Sequence, residues 1–225
     1  MARTLLLRLA APMQSWGRRS RFEHRDTGIE PSKSGVVGLV AAALGRRRDE
    51  SIDDLTALRF GVRVDQPGSI ERDFHTAANV AKYGGGTEAL VSDRFYIADA
   101  VFLVGLTGDD ELLNRLASNL ESPTFQLFLG RKSFVPTPPL VLGVVDGELE
   151  DVLESHPWLA TSHQTLRRAG DGDELRLVVE DASAPETFED DAVVSFSTRE
   201  FTARPVRVVF VSPPHEPRPA WSAGG

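Results

Sequence analysis

The sequence contains no cysteine, which excludes disulfides, thiolate metal sites and cysteine nucleophiles. Metal would have to be held by five histidines and the carboxylates, and no ligand spacing such as H-E-x-x-H occurs. Long hydrophobic runs are lacking too. Nothing approaches the roughly 20 apolar residues of a membrane span, and the opening leucine run is interrupted by Arg8. A nucleophile elbow is also missing around Ser162-His163, so hydrolase chemistry has little support. These absences point to a soluble, cytoplasmic chain with no cofactor and no membrane partner.

Positive charge is scarce overall, with a net charge of −8, but it is not spread evenly. Residues 1–48 carry ten Lys or Arg against three acids, whereas residues 140–200 carry fifteen acids against four Arg. A basic face can therefore coexist with a low isoelectric point. The alternative is a merely solvated acidic surface on an Arg- and Asp-rich protein.

Thr4–Ala10 is a short apolar run closed by Pro12 and reads as a buried strand. From Met13 to Lys33 the pattern is polar, basic and aperiodic, which predicts a long exposed loop. Ser34–Leu44 is apolar on nearly all sides, with Pro31 and Ser32 before it and Gly45 after it, and reads as a buried helix. Arg59–Asp65 and Phe95–Leu106 read as strands, and residues 66–93, with Gly84-Gly85-Gly86, as a protruding excursion between them. Gly108-Asp109-Asp110-Glu111 opens a helix running to about Glu121, and Phe125–Leu129 reads as the next strand.

This order predicts an α+β protein with a ferredoxin-like, RRM-like βαββαβ core, whose helices cover one sheet face and leave the other open, a face that commonly meets RNA. Residues 1–139 form the core, with the thumb insertion at 66–93; residues 140–211 form a small C-terminal β-rich region with a second sheet of its own; residues 212–225 form a flexible tail.

Several groups suit a phosphate chain. Ser32, Lys33 and Ser34 fail the Walker A template but stand at a helix start, where unpaired N–H groups, hydroxyls and an ammonium favour a phosphate. The competing reading is ordinary capping with Lys33 in solvent. Met13, Gln14, Ser15 and Trp16 follow the first strand directly. Trp16 is suited to stacking on a base and Gln14 to reading a base edge, with Arg18, Arg19 and Arg21 as a backbone track; the competing reading of Trp16 is half-buried packing. Arg72, His75 and Asn79 of the excursion mix cation, aromatic and amide. His75 is the one candidate general base, although a lone loop histidine is more often a hydrogen-bonding residue. Arg131 and Lys132 place two cations on a turn after Gly130, equally consistent with a solvated pair.

LLLRLAAPMQSWG (5–17), PSKSGVVGLVAAALG (31–45), DFHTA (73–77), RFYIADAVFLVGL (94–106) and LFLGRKSF (127–134) together resemble the CasD family of type I-E CRISPR systems, within the RAMP superfamily. The resemblance implies an RRM-like core with a thumb, and a non-catalytic Cascade subunit that binds and caps the five-prime handle of crRNA for antiviral defence. It implies as partners the CasC-type backbone subunit, the large PAM-sensing CasA-type subunit, and target DNA within the complex. On this chain it falls on Met13, Gln14, Ser15 and Trp16, on Ser32, Lys33 and Ser34, and on Arg72, His75 and Asn79. A type I-C relative cuts pre-crRNA, so a metal-independent endoribonuclease is the alternative.

Overall fold

The computed structural model describes residues 2–17, 24–81, 84–161 and 174–213. In chain order its strands are β1 (Arg3–Ala10), β2 (Met13–Gln14), β3 (His24–Arg25), β4 (Arg59–Gln66), β5 (Ser69–Ala81), β6 (Thr87–Ala98), β7 (Val101–Thr107), β8 (Val141–Asp146), β9 (Leu175–Glu180), β10 (Thr187–Ser195) and β11 (Glu200–Val211). The helices are α1 (Lys33–Ala43), α2 (Asp53–Thr56), α3 (Asp110–Glu121) and α4 (Leu149–Ser155).

β1 is buried along most of its length because it is flanked by strands on both sides. It pairs antiparallel with β7 on one side and β8 on the other, in a seven-stranded sheet ordered β10-β11-β9-β4-β7-β1-β8. Leu5, Leu7 and Leu9 enter the larger core, under α1 and α3, and Leu6 enters a second cluster on the opposite face. Both covering helices are capped: Ser32 accepts from the Gly35 N–H (3.2 Å) and Asp109 from the Leu112 N–H (3.0 Å). Asp110 and Glu111 add favourable charge to the first turn of α3.

The face expected to be open is covered. Leu149 and Leu153 of α4 pack on Leu6, Leu103, Leu177 and Val179. Gly61 and Gly105 make this approach feasible, since a Cβ on them would lie 2.7 Å from Leu153 Cδ1 and 2.6 Å from Leu149 Cδ1. Arg63 locks the arrangement. Wholly buried, it holds Asp65 in a two-pronged pair (2.6 and 2.9 Å) and donates to the carbonyls of Leu153 (2.6 Å), His156 (2.7 Å) and Pro157 (3.0 Å), so it caps the end of α4.

Three further expectations are corrected. The Phe95–Leu106 run is two strands in two sheets: the chain turns at Asp99, which has φ 55°, donates its N–H to the Pro12 carbonyl and accepts from the Gln66 amide. Phe125–Leu129 is not a strand. It wraps along α1, with the Phe125 N–H on the Ala42 carbonyl, and the sheet position expected for it is taken by β8. The strands after residue 140 do not form a second sheet; β8 joins one edge of the main sheet, and β9, β11 and β10 extend it beyond β4. The second sheet is instead made by the excursion, in which β5 and β6 form a long hairpin joined by β2 and β3. Gly84, Gly85 and Gly86 at its tip all adopt positive φ.

Ion pairs also tie α4 to the sheet. Glu150 accepts from both terminal nitrogens of Arg59 and lies 3.7 Å from Arg207, which pairs with Asp181 at 3.1 Å. Burial alone would raise the Glu150 pKa, but the Arg59 hydrogen bond and the two guanidinium charges outweigh it and hold the carboxyl low. Asp181 is depressed well below the carboxylate range by the Ser183 hydroxyl, by the Ala184 and Ser183 amides and by Arg207. Both folded pKa values lie below the unfolded values of about 4, so their stabilisation is complete above that pH and is lost as pH falls through the folded values. The melting temperature is expected to drop as pH is lowered below about 4. Glu150→Gln should flatten that dependence, as read by thermal denaturation across a pH series.

Candidate nucleic-acid interface

The start of α1 is already occupied by protein. The Lys33 N–H donates to Asp191 Oδ2 at 2.7 Å, and Asp191 is held in turn by Arg204 (2.8 and 3.0 Å). The Lys33 ammonium is buried against Glu180, 2.8 and 3.0 Å from its two oxygens, and Glu30 beside it pairs with Arg176. A phosphate at Lys33, as expected from the sequence, is therefore corrected: carboxylates from β9 and β10 satisfy both the helix dipole and the ammonium. Ser32 is the buried cap, and Ser34 is half-buried with its hydroxyl 3.3 Å from that of Ser32.

Trp16 and Gln14 are corrected in the same way. Gln14 is wholly buried and donates to the Ala100 carbonyl (2.8 Å), while its own oxygen accepts from Trp16 Nε1 (3.2 Å). Trp16, 2% exposed, packs on α1 where a Cβ on Gly35 would come within 2.9 Å of Trp16 Cε3. Neither is presented for stacking or base reading. Their role is to position the loop, in which Ser15 is buried and Met13 exposed. Arg18, Arg19 and Arg21 lie outside the described residues.

Beside this loop opens a groove of about 740 Å³. Its floor is Trp16, Gly35, Gly38 and Leu39 of the loop and α1. Arg46, Arg47 and Arg48 follow the helix at one end, and Phe125, Phe128, Gly130 and Arg131 come from the wrapping segment. Phe196 and Arg199 belong to the turn between β10 and β11, and Phe201 to the start of β11. Five arginines line it with one lining carboxylate, Asp26; of these arginines Arg46 is held by Asp54 and Arg47 lies 3.8 Å from Asp49. Gly130 is obligatory: at φ 91°, a Cβ on it would lie 1.8 Å from the Ser15 carbonyl oxygen. Arg131 stacks 4.7 Å over the Tyr96 ring, which meets Phe134 edge-on. Lys132 is exposed next to it but does not line the groove.

The groove thus unites Ser15, Trp16, Ser32, Ser34 and Arg131 of the residues singled out from sequence. It does not include Arg72, His75 or Asn79, which are exposed on the hairpin. Arg72 is paired with Asp93 (3.0 Å) and His75 with Asp73 (2.9 Å), while Asn79 takes a left-handed φ of 59° at an irregularity in the ladder. The sequence reading missed Arg46–Arg48, whose clustering after Gly45 was itself a visible signal. It also missed Phe196, Arg199 and Phe201, for which no local signal existed, because the tertiary fold brings them from far along the chain. Among the described residues no group of His, Asp or Glu is arranged to hold a metal ion, and no helix is long and apolar enough to cross a membrane.

Arginines interleaved with phenylalanines along an open groove, on a mixed α/β scaffold with antiparallel sheets, define a protein with a surface suited to a single-stranded polyanion. The chain belongs to the CRISPR-associated protein (Cas_Cas5) family, whose model matches residues 4–208. The CRISPR system Cascade subunit CasD of Escherichia coli (strain K12) is 35% identical over 156 residues, 62% of this chain and 70% of that protein. A crystal structure of a Cas protein aligns with a TM-score of 0.74 at 43% identity, covering 93% of this chain and 95% of the other. A chain of a CRISPR RNA-guided surveillance complex aligns with a TM-score of 0.78 at 36% identity, covering 93% and 90% respectively.

Proposed function

We propose that this chain is a non-catalytic subunit of a Cascade-type CRISPR surveillance complex, in which its arginine- and phenylalanine-lined groove holds the five-prime handle of crRNA. The observation that carries this is the groove itself, where five arginines meet four phenylalanines and a single carboxylate. The succession β1-α1-β4-β7-α3-β8, with β4, β7, β1 and β8 adjacent in that order, supports a ferredoxin-like core. Its extra strands and α4 would shift RNA binding from the sheet face to the loops at its edge. The partners are then a CasC-type backbone subunit, a CasA-type large subunit and target DNA within the complex, in the cytoplasm.

Arg48 is exposed and has no ion-pair partner among the described residues, so its charge is available to a phosphate. Arg48→Glu is expected to weaken binding of a labelled single-stranded repeat RNA and to reduce the salt slope by about 0.7 for each phosphate it no longer neutralises. Fluorescence anisotropy from 50 to 300 mM salt measures both, and unchanged affinity would refute the RNA-holding role. The endoribonuclease reading draws on the contact between His75 and Asp73, a base and its orienter. Neither residue lines the groove, which favours the non-catalytic reading. Repeat RNA incubated with the chain in EDTA should remain intact; cleavage abolished by His75→Ala would overturn it.

A further inference from the structure

We propose that the end of the β10–β11 hairpin, residues 195–201, is a jaw of the groove in which Phe201 stacks on one base and Arg199 clamps a neighbouring phosphate. This rests on the reading of the groove as an RNA-holding site and goes beyond it by assigning a specific role to the C-terminal hairpin.

The turn is preformed and fastened to the helix beneath it. Val193 is buried in the main core, and the Phe196 ring lies over α1 at Gly38, 3.5 Å from where a Cβ would stand. Ser195 pairs with Glu200 across the ladder, its hydroxyl accepts from the Thr198 N–H (3.3 Å), and it lies 2.9 Å from the Ser197 hydroxyl. Arg199 takes a left-handed φ of 55° at the tip. A turn ordered before binding loses little conformational entropy when RNA arrives.

What this scaffold presents is unusual for a surface turn. Phe201 is 46% exposed, and Arg199 is exposed with no carboxylate partner among the described residues. An exposed ring next to an unpaired guanidinium is the pairing that single-stranded nucleic acid uses, since every base offers a π face and every link a phosphate. Arg131, which stacks on Tyr96, and Phe128 also line the groove. An acidic protein segment would meet the arginines but would leave the Phe201 face without a planar partner.

The experiment compares binding of the same labelled repeat RNA, by anisotropy over a salt series, to full-length wild type, Phe201→Ala, Phe201→Trp, Arg199→Glu and Arg48→Glu, with thermal melts of each. Phe201→Ala is expected to weaken binding about ten-fold, as loss of one stacked base does. Phe201→Trp should bind as wild type, and Arg199→Glu should lower the salt slope by about 0.7. Wild-type binding by Phe201→Ala and Arg199→Glu, with Arg48→Glu impaired, overturns the jaw and leaves the groove reading standing. If Arg48→Glu also binds as wild type, the groove reading itself fails. Should Phe201→Ala melt early, Arg199→Glu and Phe201→Trp decide alone: an unchanged salt slope, or a tryptophan variant that folds but binds poorly, rejects the assignment.

Discussion

Arg63→Met is expected to lower the free energy of unfolding by about 3–5 kcal/mol, the range for breaking a buried ion pair from one side. The reason lies in what Arg63 leaves behind. Asp65 would lose its guanidinium partner in the interior, with the Leu159 N–H (2.7 Å) as the remaining donor to its carboxyl group among the described residues. The carbonyls of Leu153 and His156 would lose the Arg63 donor at the end of α4, and that of Pro157 would keep only the His156 Nδ1 at 2.9 Å; each unpaired buried group costs about 1–3 kcal/mol. Urea denaturation followed by circular dichroism measures the loss. The double variant Arg63→Met, Asp65→Leu removes both charges and should recover part of it; a double variant no more stable than Arg63→Met would reject this account. RNA affinity per folded molecule should stay at the wild-type value, because α4 covers the sheet face away from α1 and the groove.

Asp191→Ala is expected to cost about as much, roughly 3–5 kcal/mol, and to damage RNA binding as well. Asp191 joins the Lys33 N–H at the start of α1 to Arg204 of β11, whose guanidinium lies 5.2 Å over the Phe60 ring. Arg204 is buried, and its Nη1 lacks a hydrogen-bond partner among the described residues, so removing the carboxylate leaves a buried guanidinium without the ion pair that holds it. The same carboxylate fastens the C-terminal hairpin to the helix, and these are two sides of the groove. Asp191→Asn keeps an acceptor for Lys33 and should lose less stability. Lys33→Met should likewise lower stability by stranding Glu180, while leaving the salt slope of RNA binding unchanged. A reduced slope would return Lys33 to the phosphate.

Helix starts are where local sequence misleads about function. Ser32-Lys33-Ser34 carries every local attribute of an anion site, and an anion does sit there. That anion is Asp191, 158 residues away, and no local pattern distinguishes a carboxylate brought by the fold from a phosphate brought by a ligand. Trp16 and Gln14 misled for a related reason. A polar, aperiodic stretch reads as exposed loop, yet Gly35 and Ala100 accept these side chains into the interior. Arg131 does reach the groove, as its sequence suggested, because both the turn at Gly130 and the charge after it are local properties.

The open sheet face was misjudged because α4 is a single short helix, seven residues long, hidden within an acidic stretch. Its docking depends on Gly61 and Gly105, which from sequence look like mere weaknesses in two strands. The strands themselves were largely legible: β1, β4 and the helices α1 and α3 lie within a residue or two of where hydrophobic periodicity and caps put them.

By itself the sequence determined the absence of cysteine chemistry, the buried first strand, the two helices with their start signals and the concentration of arginine near the N-terminus. These follow from composition, short-range periodicity and backbone punctuation, which act within a few residues. Only the tertiary structure decided which cations are spent on internal carboxylates, as with Lys33, Arg63 and Arg204, and which face the groove, as with Arg48 and Arg199. That partition depends on long-range packing, because a charge's role is set by the partner within a few ångströms of it, and that partner lies far away along the chain.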